Sequence, residues 1–144
     1  MSTFKKRLII ISSVLMMTFS ILIGGKVYYD KNINGYPDTA NFSQKVNELQ
    51  YTGSDKKTVL IFHKPGCADC LAARDTIKSE IKSQRSTMTP IVINVHQNGA
   101  EDAIAKYGVT NYPTVIYLEG AKVVDSTTST QPSELKRVLR YDKN

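Results

Sequence analysis

The sequence predicts an α/β fold, with a mixed central sheet flanked by helices and one transmembrane helix before it. Short β-branched apolar segments alternate with amphipathic ones between residues 39 and 141, which indicates the sheet and its helices. A long apolar run near the N-terminus indicates the transmembrane helix. With 144 residues, 41% of them hydrophobic and 22% charged, the composition is typical of one globular domain with a short additional segment.

The apolar run covers residues 8–27 and follows a basic cluster, Lys-Lys-Arg, at 5–7. Its length matches that of a single membrane-crossing helix. Because basic flanks stay on the cytoplasmic side, we expect the rest of the chain to lie outside the cytoplasm. Residues 1–29 are therefore interpreted as a cytoplasmic basic tip and a signal-anchor helix with a single pass through the cell membrane. The alternative is a signal peptide whose cleavage leaves a secreted protein, although the run has no Ala-x-Ala site.

Residues 30–38 (DKNINGYPD) are polar and contain glycine and proline, which is typical of a tether. Residues 39–144 then form the folded domain. The net charge is +6, but three of the basic side chains belong to the cluster at 5–7, and the remaining surplus is small and scattered. Such a surplus gives no indication of a nucleic-acid partner, and we expect none.

The first half of the domain contains three predicted elements. Residues 39–50 repeat apolar side chains at helical spacing, which predicts an amphipathic helix. Residues 58–62 (TVLIF) are apolar or β-branched throughout, which is typical of a buried strand. A Pro-Gly pair at 65–66 ends this strand, and a helix is predicted over 67–84.

The second half contains five further elements. Residues 90–95 (PIVINV) predict a second buried strand, and 101–107 a short helix that a glycine ends. Residues 114–118 (TVIYL) and 122–125 predict a hairpin around a Glu-Gly turn. Residues 132–141 predict a closing helix with proline at its start.

The two cysteines, Cys67 and Cys70, lie at the predicted junction between the first strand and the following helix. A disulfide between them would close a very small loop and add little stability, so the pair is either redox-active or metal-binding. The unpaired N–H groups at the start of a helix stabilise a thiolate. We therefore predict that Cys67, at the exposed end, attacks a substrate disulfide. Cys70, nearly one turn further along, then resolves the mixed disulfide.

A metal site is the alternative interpretation of the cysteines. It needs two further ligands, and the only histidines, His63 and His96, each close a predicted strand and need not converge. We therefore expect neither a metal nor a cofactor. Each histidine is interpreted as a polar residue at a strand end.

Three segments resemble the thioredoxin family. TVLIFHKPGCADC at 58–70 resembles its active-site strand and loop, and INVHQN at 93–98 its next strand and turn. KYGVTNYPTVIYLEGAKVV at 106–124 resembles the segment that carries its cis-proline. The resemblance covers about residues 42–141, and the combination of C-x-x-C with Tyr-Pro-Thr at this distance is specific to the family. It implies a thioredoxin fold.

The resemblance also implies roles for individual residues. Cys67 is the implied nucleophile and Cys70 the resolving cysteine, and together they form the redox disulfide. A cis Tyr112–Pro113 bond packed against that disulfide leaves backbone free to pair with an extended substrate. Gly66, in the place of the tryptophan that thioredoxins usually carry, is the third expected substrate-binding residue.

The sequence departs from the family at the site itself. Ala68 and Asp69 replace the usual Gly-Pro between the cysteines. Ile61 occupies the place of the buried acid that thioredoxins use as a proton shuttle, and Val92 that of its lysine partner. Proton transfer to and from Cys70 must therefore depend on water or another group.

These observations predict an enzyme, an extracytoplasmic thiol–disulfide oxidoreductase that is anchored in the membrane and acts on exported proteins or peptides. The architecture is similar to that of membrane-anchored thioredoxin-like proteins of Gram-positive bacteria. The expected partners are exported disulfides and a membrane electron carrier or thiol oxidoreductase that resets the pair, and the direction of exchange is open. The alternative is a binding or accessory module for exported chains, for example bacteriocin-type peptides, with little redox turnover.

Overall fold

The computed structural model describes residues 3–51, 53 and 55–141, and these divide into two compact units, Met1–Asn34 and Gly35–Asn144. The first two residues of the predicted membrane segment and the last three of the predicted domain lie outside the described residues. The predicted boundaries at 29/30 and 38/39 stay predictions.

The described part of the first unit is one long helix. Helix α1 spans Thr3–Tyr28, and Tyr29–Asn34 continue it with π-helical hydrogen bonding. Within the helical stretch Thr3–Asn34, the most apolar window has a mean hydropathy of 2.3 and no buried residue. The predicted N-terminal apolar helix is confirmed, and its length and composition suit either a membrane span or a signal sequence.

The second unit follows the predicted order of helices and strands. Its elements are α2 (Phe42–Glu48), β1 (Lys57–His63), α3 (Ala68–Ser83), β2 (Thr89–Asn94), α4 (Ala100–Tyr107), β3 (Thr114–Glu119), β4 (Lys122–Thr127) and α5 (Pro132–Leu139). Most predicted ends agree within one or two residues. The predicted helix at 39–50 is shorter, because Asn41 adopts a left-handed conformation before α2 and the chain tightens into a 3-10 turn at Leu49–Tyr51.

The four strands form one mixed sheet in the order β2-β1-β3-β4, as the predicted fold requires. Strand β1 runs parallel to β2 and antiparallel to β3, and β4 closes the hairpin with β3. Strand β1 has a neighbour on each side, and its apolar residues are buried on both faces of the sheet because helices cover each face. The carboxyl end of β1, which leads into the cysteine loop, therefore lies between two other strands.

Alternate residues of β1 face two separate cores. Val59 and Ile61 pack in the core that also contains residues of α3 and α5. Leu60 and Phe62 pack in the core that contains residues of α2 and α4. His63 follows in the alternation on the Ile61 side, so it faces the layer that carries Cys70.

Helix α5 closes the first core, the one that contains Val59 and Ile61. This packing can be tested. Leu135→Ala should lower the free energy of unfolding by about 2 to 5 kcal/mol, because Leu135 is fully buried and truncation leaves a cavity. Chemical denaturation followed by circular dichroism measures this loss. The matched control is Lys136→Ala, on the exposed face of the same helix, where stability should hardly change. Equal losses in both variants would contradict the placement of α5.

Candidate redox site

A tight turn carries the chain from β1 to α3. Gly66 has a φ of 74°, a left-handed conformation that side chains rarely adopt. A Cβ atom there would meet nothing within 4 Å, so the backbone conformation and not crowding favours glycine. The turn is closed by a hydrogen bond of 3.2 Å from the Cys67 amide to the Lys64 carbonyl. Gly66 is therefore placed directly beside the first cysteine, on the exposed side of the turn.

Cys67 caps the N-terminus of α3. Its backbone is extended, with φ −75° and ψ 127°, and its sulfur accepts a hydrogen bond of 3.4 Å from the Cys70 amide. Cys67 is partly exposed, Cys70 is buried, and both are free thiols. An N–H group of the first helical turn thus points at the sulfur that is open to solvent, and such a donor stabilises a thiolate.

Cys70 lies beneath the helix start with 1% of its surface exposed. Its sulfur accepts a hydrogen bond from the Lys64 amide at 3.5 Å, and its carbonyl accepts one from the Tyr36 hydroxyl at 2.6 Å. Burial raises the pKa of the Cys70 thiol to about 12; the Lys64 amide opposes the shift and the neighbouring Cys67 adds to it. Cys70 is therefore protonated at neutral pH.

The loop before β3 supplies the opposite wall of the site. The Tyr112–Pro113 peptide bond is cis, and Pro113 is buried at the start of β3. The Cys67 thiol donates to the Tyr112 carbonyl over 3.7 Å, which is the sulfur–oxygen distance. The structure therefore brings Tyr112 to Cys67, next to Gly66.

A buried polar cluster that the sequence did not reveal lies at the same end of the sheet. The imidazole of His63 is fully buried, and its Nε2 lies 2.6 Å from an Asp38 carboxylate oxygen. The other Asp38 oxygen accepts a hydrogen bond of 3.2 Å from the Asn94 amide. The Tyr36 ring stacks on the imidazole, with ring centroids 4.2 Å apart and planes 19° apart. We call Tyr36, Asp38, His63 and Asn94 the histidine cluster.

The sequence pattern places Tyr36 and Asp38 in the predicted tether and His63 at the end of a predicted strand. The aromatic ring in an otherwise polar segment was the available signal for Tyr36, and the alternation Val59, Ile61, His63 was the signal for an inward histidine. As for metals, no group of three or more His, Cys, Asp or Glu side chains is placed to hold an ion within the described ranges.

Known proteins resemble this chain in sequence and in fold. The thioredoxin family model matches residues 31–141. Glutaredoxin 3 of Danio rerio is 25% identical over 100 residues, which cover 69% of this chain; the chain spans only 29% of the length of that relative.

Solved structures agree in fold. The germline-specific thioredoxin Deadhead of Drosophila melanogaster superposes with a TM-score of 0.57 and 21% identity over 69% of this chain and 89% of its own. Mitochondrial thioredoxin 3 of Saccharomyces cerevisiae superposes with a TM-score of 0.58 and 16% identity, over 72% of this chain and 92% of its own. The thioredoxin of Fasciola hepatica superposes with a TM-score of 0.55 and 24% identity, over 68% of this chain and 88% of its own. At these identities the likeness shows the fold alone.

The different burial of the two thiols predicts their order of alkylation. At neutral pH iodoacetamide should modify Cys67 well before Cys70, because Cys70 is inaccessible and protonated. Raising the pH should accelerate the modification of Cys70 without levelling off until the pH approaches its pKa of about 12. Mass spectrometry of peptides from the reduced chain measures both rates. Guanidinium should make the two rates similar, and similar rates without denaturant would contradict the burial of Cys70.

Proposed function

The chain belongs to the thioredoxin family, and we propose that it is a thiol–disulfide oxidoreductase anchored in the cell membrane that acts outside the cytoplasm. Its proposed substrates are disulfides of exported proteins or peptides. The observation that carries the proposal is the placement of an exposed sulfur at the N-terminus of α3 with a buried thiol one turn behind it. This arrangement separates a nucleophile from a resolving group.

The proposed exchange has two steps. The Cys67 thiolate attacks one sulfur of a substrate disulfide, so that a Cys67–substrate bond forms and the other substrate sulfur leaves as a thiolate. Cys70 then attacks Cys67, which forms the Cys67–Cys70 disulfide and releases the second substrate sulfur. Two electrons have passed from the protein to the substrate. The same steps in reverse oxidise a substrate dithiol, and a membrane electron carrier or thiol oxidoreductase resets the pair.

The surroundings of Cys67 support binding of an extended substrate. Gly66 precedes Cys67 and presents no side chain, and the Tyr112 carbonyl lies 3.7 Å from the Cys67 sulfur. A substrate segment that pairs with the backbone at Tyr112 and Pro113 would hold its disulfide against Cys67. We assign Gly66, Tyr112 and Pro113 to substrate binding on this basis.

The N-terminal helix supports the proposed location. Its apolar length is sufficient for a membrane span, and the basic cluster at 5–7 precedes it. Positively charged flanks favour the cytoplasmic side, which would leave the cysteines outside. Cleavage at this segment, with secretion of the domain, is the alternative that the orientation experiment below distinguishes.

Removal of the resolving thiol should trap substrates. Cys70→Ser should accumulate mixed disulfides through Cys67, because the second step has lost its nucleophile. Non-reducing gels of membranes from cells that express the variant should show bands that disappear on reduction.

The matched control is Cys67→Ser, which keeps one thiol in the same turn but should trap far less. If Cys67→Ser forms the adducts and Cys70→Ser does not, the order of attack is reversed. If neither variant forms adducts, the chain acts as a binding or accessory module with little redox turnover.

The proposed orientation predicts the labelling of intact cells. After mild reduction, a membrane-impermeant maleimide should label Cys67 from outside the cell. Thr3→Cys in the Cys67→Ser, Cys70→Ser background should be labelled only after detergent treatment, because Thr3 begins α1 at the end that is proposed to face the cytoplasm. The opposite result would place the domain in the cytoplasm, and recovery of the domain from the medium would support cleavage.

A further inference from the structure

Cys70 must lose a proton before it can attack Cys67. The sulfur is buried and accepts a hydrogen bond from the Lys64 amide, and burial raises the pKa of the thiol to about 12. A thiol with that pKa is almost entirely protonated at neutral pH, so resolution needs a base nearby. Ile61, which faces the same core from β1, is apolar and cannot supply one.

The imidazole of His63 has the chemistry of such a base. A carboxylate only accepts hydrogen bonds, so the contact of 2.6 Å makes Nε2 of His63 the donor to Asp38. In the neutral imidazole the other nitrogen, Nδ1, then carries a lone pair. Nδ1 is buried and has no hydrogen-bond partner among the described residues. A buried acceptor without a partner is costly in a folded protein, so its presence calls for an explanation.

The fold places this nitrogen in the same layer as the cysteines. His63 is the inward residue that follows Ile61 along β1, and the amide of the next residue, Lys64, contacts the Cys70 sulfur. Tyr36 stacks on the imidazole with its ring and donates to the Cys70 carbonyl with its hydroxyl. His63 is therefore linked to Cys70 in two ways: through the hydrogen bond of the adjacent Lys64 amide, and through Tyr36, which contacts both residues.

We propose that the Asp38–His63 pair is the proton-transfer group that serves Cys70 during resolution, a role that rests on the proposed thiol–disulfide exchange. As Cys70 attacks Cys67, the Cys70 proton passes to Nδ1 of His63, directly or through one water. The Cys67–substrate bond breaks, the Cys67–Cys70 bond forms, and the substrate sulfur leaves with the electron pair. Asp38 stabilises the imidazolium that results, and the proton returns when the pair is reduced.

Other charges act on the same group of residues. Asp38 contacts the imidazole directly, and Asn94, from β2, contributes a neutral amide that holds Asp38. The pKa of the Tyr36 hydroxyl is influenced by further titratable groups. All of them lie on the cysteine turn and α3: Cys67, Cys70, Arg74 and Asp75. A pH profile of resolution therefore has to be compared between variants that leave these groups in place.

The test separates attack from resolution in one reaction. The reduced full-length chain in detergent is mixed with a smaller amount of dithiobis(nitrobenzoate). Attack by Cys67 releases one thionitrobenzoate at a rate that depends on protein concentration. Resolution by Cys70 releases the second thionitrobenzoate at a rate that does not depend on protein concentration. Cys70→Ser identifies the phases, because it should abolish the second release and retain the first.

His63→Gln should slow the second release roughly 100-fold near neutral pH and leave the first unchanged, since glutamine occupies the site without titrating. In the unmodified chain the rate of the second release should be less than proportional to hydroxide concentration, because Nδ1 of His63 and not hydroxide accepts the Cys70 proton. In His63→Gln it should instead rise without a plateau towards the pKa of Cys70. Asp38→Asn should slow the second release by a smaller factor. His96→Gln, which alters the exposed second histidine, should match the unmodified chain.

A second release with the same rate and pH profile in His63→Gln would overturn the proposal and leave the exchange reaction intact. The absence of any second release in the unmodified chain would instead refute the resolving role of Cys70. Circular dichroism checks the folding of each variant. If His63→Gln does not fold, the unmodified chain decides, because a second release proportional to hydroxide over the whole range would overturn the role of the pair.

Discussion

The burial of Cys70 beneath the N-terminus of α3 is the constraint on which the rest of the site depends. The buried position leaves Cys67 as the cysteine that solvent and substrate can reach. It also raises the pKa of Cys70 to about 12, so the proposed resolving group is a thiol that needs help to ionise. Cys70 lies in the first core together with Val59 and Ile61 of β1, in the first turn of the helix that follows this strand. The same burial therefore sets the order of the two proposed steps and creates the need for a base.

The histidine cluster is held by contacts from three parts of the domain. Register between β1 and β2 sets His63 opposite Asn94, and Asn94 donates to the carboxylate that His63 contacts. Asp38 arrives from the segment before α2, which is fixed to β2 through Thr39: its amide donates to the Val92 carbonyl, and its hydroxyl accepts from the Val92 amide. Hydrogen bonds to a charged group in such a site are worth roughly 1.5 to 3 kcal/mol each, which is enough to keep the carboxylate and the imidazole together.

The order of elements could be predicted because β1 and β2 are continuous apolar segments and the breaks between elements contain glycine or proline. The cysteines could be located for the same reason, since they follow a Pro-Gly turn after a buried strand. Tyr36 and Asp38 could not be found in this way. They lie in a short polar segment with no periodicity, and their positions depend on contacts with β1, β2 and α3 that are distant in sequence. The sequence showed that the acid expected at Ile61 is missing, but local patterns carry no information on which other group replaces it.

The proposed base lies at His63, two residues further along β1 than Ile61. This position changes the desolvation cost of its charged form. An acid in the middle of the strand would lie in an entirely apolar core, where each ionisation carries a large desolvation cost. At the end of the strand, the imidazole is still fully buried, but its partner Asp38 keeps 21% of its side chain exposed. Protonation of the imidazole therefore pairs it with a carboxylate that is already solvated in part, and the added charge does not stand alone in the core.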